Sequence, residues 1–252
     1  MCTLILGRDV LGPRTVLLAA NRDESPGRPT DPPRVLSEAP RVAGGRDRLA
    51  GGTWLAVREG PAVVALLNRR DPALEHGERP RGLRSRGLLA LDVAAAPDGE
   101  ALDRALLLAR VARYAPFTLI FASPLSCWAI AQAPAGEPRV LPVPAGWHVF
   151  THQEPDDATE PRAAYLTERL KNYLPGSPDE AGERLTGLLK EHGEDGTPPV
   201  CLHQGRMVTV SSSLVSLSER GAVYRHAEGR PCERPFDDQS QLLETALRGD
   251  RS

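Results

Sequence analysis

The chain of 252 residues has almost no net charge: 31 basic side chains stand against 33 acidic ones, a formal charge of −2. So balanced a composition gives no general pull toward nucleic acid or an anionic bilayer. Long apolar runs are missing too. The longest, Gly87 to Ala96, is broken by Asp92 and falls well short of the roughly 20 residues that cross a bilayer. No basic region followed by an apolar stretch opens the chain, so no secretory signal is read there. The four cysteines, Cys2, Cys127, Cys201 and Cys232, include no CxxC pair. That spacing speaks against a zinc framework, so no metal is expected, and in a reducing cytosol the thiols stay free. Repeats and low-complexity tails are absent, which leaves one domain over residues 1–252. The expectation is a soluble, cytoplasmic protein with no membrane insertion and no nucleic-acid partner. What is abundant is Arg over Lys, with Ala, Gly and Pro, a composition typical of a GC-rich bacterial genome.

The pattern of elements predicts an α+β fold. Cys2–Leu6 and Thr15–Ala20 form a first hairpin, and Thr53–Arg58 with Ala62–Leu67 a second. The proline-rich stretch from Ser25 to Pro40 reads as loop, because proline lacks the ladder donor. Ser85 caps a helix over Arg86–Ala95, and Asp98 caps another running to Tyr114. Strands are expected at Phe117–Ala122, Cys127–Gln132, Arg139–Val143 and Trp147–Thr151. Helices follow from Glu160 to Tyr173 and from Pro178 to His192. Val200–Leu202, Arg206–Ser218 and Ala222–His226 are strands, and Gln239–Arg248 closes as a helix. Hairpins interleaved with helix pairs favour antiparallel sheets in layers over a parallel βαβ arrangement.

Chemistry concentrates at strand ends. Cys2 is small enough for Met1 to be removed before it, which would put a thiol and a free α-amine on one residue. An α-amine titrates near pH 7.7–8.0 and can take the proton of its own thiol, giving a nucleophile with a built-in base. As a plain residue, Cys2 is a small hydrophobe opening an edge strand. Asn21-Arg22-Asp23-Glu24 follows the second strand, antiparallel to the first, so its polar end falls beside Cys2. There Arg22 would favour thiolate and Asp23 would hold the amine or the arginine; a solvated turn is the competing account. Gly51-Gly52-Thr53-Trp54 opens the second hairpin with two residues that let backbone approach closely. Asn68 ends that hairpin as an oxyanion donor or a turn residue.

These residues resemble the NRDE family, which includes the Transport and Golgi Organisation homologue of animals. The resemblance rests on Met1-Cys2, Asn21 to Glu24, Gly51 to Leu55, Asn68, Ser85-Arg86-Gly87, Thr151 to Arg162 and Val208 to Leu217. It implies an N-terminal-nucleophile (Ntn) hydrolase-like fold, a four-layer αββα sandwich related to choloylglycine and penicillin V acylases. Carried over, Cys2 is the nucleophile, Arg22 and Asp23 its neighbours, and Asn68 the oxyanion donor. Asn21, Glu24, Gly52, Trp54, Arg86, His152, His203 and Ser211 are then assigned to ligand binding. The acylases space their Arg and Asp apart, and many relatives carry Asn at the position of His152. They also keep an arginine where Ser211-Ser212-Ser213 stands.

Those departures favour a non-catalytic reading. The family's reported biology implies a pocket around Cys2 that binds or traffics haem or an acyl-CoA or lipid-type ligand. His152, His203 and Cys201 are candidate axial groups, with haem as ligand and no required cofactor. The other reading is a cysteine amidohydrolase acting on a linear carbon–nitrogen amide bond. Arg81, Arg84 and Arg86 offer a phosphate cluster or simply a solvated loop. Asp156-Asp157 reads as a turn and N-cap.

Overall fold

In the computed structural model the described residues are 2–70, 82–97, 99–133, 136–193 and 196–244. They form two antiparallel sheets packed face to face, each covered outside by a pair of helices. This is the expected αββα order of layers.

The first sheet is built around β1 (Thr3–Arg8) and β2 (Val16–Glu24). The second begins with β3 (Thr30–Glu38), β4 (Arg41–Asp47), β5 (Leu55–Arg58) and β6 (Ala62–Asn68). Helices α1 (Arg86–Ala94) and α2 (Ala101–Val111) follow. The second sheet is then completed by β7 (Phe117–Ala122), β8 (Cys127–Gln132) and β9 (Arg139–Pro142). β10 (Gly146–Phe150) returns to the first sheet, and α3 (Pro161–Leu170) and α4 (Pro178–Leu189) cover that sheet. β11 (Val208–Ser218), β12 (Gly221–Ala227) and the two-residue β13 (Asp237–Asp238) finish it. The orders are β10-β1-β2-β11-β12-β13 and β3-β4-β5-β6-β7-β8-β9.

The alternation of each strand assigns its faces. Leu4, Leu6, Val16 and Leu18 meet Leu55, Val57, Val63 and Ala65 between the sheets. Ile5, Leu17 and Ala19 instead face Leu166, Leu170, Leu185 and Leu189 of α3 and α4. Val64, Leu66, Leu119 and Ile130 pack under α1 and α2. Among the described residues, no helix is long and apolar enough to cross a membrane.

Several expectations need correction. The second strand does not end at Ala20: β2 runs through Glu24, because Thr3 pairs with Asn21 on one side and Val208 to Ser212 flank it on the other, which removes the competing account of a solvated turn. Residues 30–38 are strand despite Pro32 and Pro33. β3 is an edge strand, and its register shifts between Asp31 and Arg34, which spares the prolines a donor. Val200–Leu202 is not strand, since the N–H groups of Val200 and Cys201 both turn to the Glu191 carbonyl, at 2.9 and 2.8 Å. The last helix is only a 3₁₀ turn over Ser240–Leu243. Arg81, the Asp98 cap and positions 245–248 lie outside the described residues.

Candidate active site

The amino end of β1, the carboxyl ends of β2 and β6 and the start of α1 meet at one edge of the sandwich. A cleft opens there, lined by Cys2, Arg22, Asp23, Glu24, Arg28, Asp47, Gly52, Thr53, Trp54, Leu66, Asn68, Ser85, Arg86 and Gly87; its volume is about 170 Å³. Larger cavities of about 340, 480 and 620 Å³ lie elsewhere; their described walls include no thiol, and the one imidazole among them is His192. Convergent chemistry, not size, singles out the Cys2 cleft.

Cys2 keeps part of its surface open, with its sulfur 3.8 Å from the Asp23 carbonyl oxygen. Burial, and next the Asp23 carboxylate, raise its thiol above the ordinary value, against the lowering effect of Arg22. Arg22 is buried beside it. Its guanidinium lies over the Trp54 ring at 4.1 Å, donates to Thr30 Oγ1 at 3.2 Å and sits 3.6 Å from Glu24. Trp54 in turn fills the space a side chain at position 45 would need: a Cβ on Gly45 would come within 2.3 Å of its ring. The GG and SRG motifs meet likewise, since a Cβ on Gly52 would lie 2.2 Å from the Gly87 carbonyl carbon. The two glycines therefore dock the hairpin directly on the first turn of α1.

Glu24, Arg28 and Asp47 form a chain of ion pairs, with Arg28 2.6 Å from Asp47 and 3.6 Å from Glu24. Burial opposes ionisation of Asp47, but the hydrogen bond from Arg28 and the N–H groups of Ala50 and Leu49 outweigh it and lower its pKa. Arg86 lines the cleft while donating to the Pro116 carbonyl at 2.8 Å. Asn68 is exposed at the end of β6 and aligned with Phe117.

Asp23 is fully buried as a side chain. Its Oδ1 accepts from Thr209 Oγ1 at 2.7 Å, and its Oδ2 lies 3.3 Å from Arg162 Nη1, which also donates to Thr3 Oγ1 at 2.6 Å. Burial raises the Asp23 pKa, against lowering by Arg162 and Thr209. Arg162, Thr209 and Thr3 were not assigned from sequence. Arg162 stands behind Pro161 at the start of α3, far along the chain from Asp23, and only the packing of that helix on the sheet joins them.

Four of the residues assigned to ligand binding lie off the walls of this cleft. Asn21 does not present its side chain to the cleft. It faces α4, donating to the Leu189 and Val200 carbonyls at 2.9 Å each and accepting from Ser212 Oγ at 2.6 Å. Odd-numbered positions of β2 face the helices, which accounts for this turn. His203 lies in a separate cluster with His192, Cys201 and Cys232. His152 is buried just past β10 and does not line the cleft; burial lowers its pKa. Ser211 pairs with Arg22 beneath Cys2, where its hydroxyl is buried without a hydrogen-bond partner among the described residues.

A titrating group stands behind Arg22. His226 is buried and accepts or donates at 3.0 Å to Ser213 Oγ; burial, and then the Arg22 charge, lower its pKa to about 4. A base depressed in the folded state contributes stability above its unfolded pKa, near 6.5, that is lost as pH falls toward the folded value. Wild type is therefore expected to lose up to about 3 kcal/mol between pH 6.5 and 4 through this group. In urea titrations across that range, His226→Gln should flatten this part of the slope. An unchanged slope would show that His226 is not the group responsible.

Residues 1–221 match the family model described as Transport and Golgi organisation 2. The chain belongs to that family. No functionally curated protein matches its sequence. Among solved structures, the family fold resembles an N-acylethanolamine-hydrolyzing acid amidase ortholog from Caenorhabditis elegans, with TM-score 0.58 and 17% identity over 84% of this chain and 92% of that one. It also resembles the C2A mutant of conjugated bile acid hydrolase from Clostridium perfringens, with TM-score 0.53 and 14% identity over 97% and 95%. A penicillin V acylase from Agrobacterium tumefaciens gives TM-score 0.52 and 10% identity over 90% and 83%. At such identities the likeness establishes a shared Ntn-hydrolase fold for this Transport and Golgi organisation 2 member.

Proposed function

We propose that this protein is an Ntn-type cysteine amidohydrolase that cleaves a linear carbon–nitrogen amide bond. The observation that carries the reading is the convergence of Cys2, Arg22, Asp23 and Asn68 on one small polar cleft. Removal of Met1 frees the Cys2 α-amine, which accepts the thiol proton as sulfur attacks the amide carbonyl. Asn68 stabilises the oxyanion. Collapse of the tetrahedral intermediate breaks the C–N bond, and the protonated α-amine returns its proton to the departing amine. Water then attacks the acyl-Cys2 thioester and releases the acid. Arg22 stabilises developing thiolate, and Asp23 positions the base.

A carrier of haem or acyl-CoA is the less favoured reading. The cleft is charged and its walls include no histidine among the described residues, whereas haem needs an axial group in an apolar pocket. Its volume is also below the roughly 300–1,000 Å³ usual for a site that encloses a drug-sized ligand. Such a cleft suits the head of a substrate whose tail lies outside.

The test is a panel of linear amides, beginning with N-acylethanolamines, bile acid conjugates and penicillin V, given to protein whose intact mass confirms loss of Met1. Release of amine, with an acyl mass trapped on the Cys2 peptide, is the expected result. Saturable binding of haem or acyl-CoA without turnover on any amide would replace this reading with the carrier.

A further inference from the structure

Away from the cleft, the loop after α4, the segment before β11 and the turn after β12 bring His192, Cys201, His203 and Cys232 together. One ligating atom from each lies within 4.8 Å of every other. Cys201 Sγ and Cys232 Sγ are 3.6 Å apart, and His203 Nε2 is 3.1 Å from Cys232 Sγ. The rings of His192 and His203 are 4.6 Å apart and nearly perpendicular. We propose that these four side chains bind one zinc ion in a tetrahedral Cys2His2 site.

The geometry fits that ion. Zinc bonds of about 2.3 Å to sulfur and about 2.0 Å to nitrogen place tetrahedral ligands roughly 3.3–3.8 Å apart. A disulfide needs sulfurs at about 2.05 Å, so the cysteines stand at ligand spacing, and both are free. Two thiols and two imidazoles are poor hydrogen-bond partners for one another but form a soft donor set that selects zinc over magnesium or calcium. Binding displaces the two thiol protons to solvent, and the two thiolates balance the ion's charge. The far side of His203 is also prepared. Its Nδ1 faces Glu233 at 3.6 Å, and Glu233 is held by Arg230 at 3.1 Å. A carboxylate behind a ligating imidazole sets its tautomer and aim.

Four protein ligands leave no open position, so the ion's role is structural. The site closes the junction beneath the NRDE strand. Val200 and Cys201 bond to Glu191; Leu202 N–H donates to Thr209 Oγ1 at 2.9 Å, and that hydroxyl donates to Asp23. Asn21 holds the same junction through Leu189 and Val200. The metal would fix the floor on which Asp23 rests without touching substrate. The proposal departs from the expectation of no metal. The ligands lie in three separate segments, so no short motif announces them.

Metal analysis of the full chain purified under reducing conditions should give one zinc per molecule. Cobalt added to chelated protein should produce the visible spectrum of a tetrahedral S2N2 site. Cys232→Ser and His192→Ala should each reduce zinc to well below one per chain and lower the Tm, while Cys127→Ser leaves the content unchanged. Should a variant not fold, alkylation of wild type supplies the readout: Cys201 and Cys232 are protected with metal and labelled after chelation. Protein that takes up neither zinc nor cobalt, or a cobalt spectrum indifferent to both substitutions, overturns the proposal. So does a Cys201–Cys232 disulfide in the freshly isolated chain. None of these readouts depends on amide hydrolysis.

Discussion

A Cys2→Ala chain is expected to lose amide hydrolysis by at least about 10³-fold, because Cys2 brings the one thiol among the described residues of the cleft, and the Thr53 and Ser85 hydroxyls have no α-amine of their own to take their proton. Its stability should change by no more than about 1 kcal/mol, since Cys2 is partly exposed and only borders the core between the sheets. The pairing of those results matters. A variant that melts early would lose activity for reasons unrelated to chemistry, so the Tm is measured beside the rate. Cys2→Ser separates nucleophile from base: it keeps the α-amine but offers a weaker attacking group, and should retain a small residual rate above Cys2→Ala. Blocking removal of Met1 leaves the thiol and takes away the amine on Cys2, and should be as damaging as the alanine variant. Full turnover by a chain that retains Met1 would sink the proposed base, though not the nucleophile.

The architecture was largely legible because periodicity reports burial. Hairpins such as Ala62–Leu67 with its neighbour, and helices such as 161–170, came within a few residues of their observed bounds, because one buried face dictates one period. Polarity misled where tertiary partners absorb it. Asn21, Arg22 and Asp23 have the polarity of a solvated turn, yet all three are buried: Asn21 and Asp23 find partners in elements distant in sequence, and Arg22 in Thr30 and the Trp54 ring. Pro32 and Pro33 argued for a loop, and an edge position with a shifted register overrode them. The site shows the same limit. Cys2, Arg22, Asp23 and Asn68 were readable because they sit at ends of paired strands, where short-range topology places them side by side. Arg162 and the Cys2His2 cluster depend on how α3, α4 and their loops lie on the sheet, and no local pattern encodes that contact.

Asp23→Asn should reduce hydrolysis by about 10²-fold or more while leaving the fold at least as stable as wild type at pH 7. The argument turns on the direction of the Asp23 shift. Burial raises its pKa despite Arg162 and Thr209, so folding favours the protonated carboxyl. A raised carboxyl contributes its stability below the unfolded value, near pH 3.9, and loses it as pH rises through the folded value. Asparagine mimics the protonated form, can still accept from Thr209 and carries no charge to desolvate. At neutral pH it therefore escapes the cost that wild type bears. A carboxylate kept buried at a net cost has its reason in chemistry at the neighbouring residue, where it can orient the Cys2 α-amine. Urea unfolding at pH 4 and pH 7, run beside the amide assay, separates the alternatives. If Asp23→Asn were several kcal/mol less stable at pH 7 and Arg162→Met matched it, the carboxylate would be half of a structural ion pair, and its place in the catalytic set would fall.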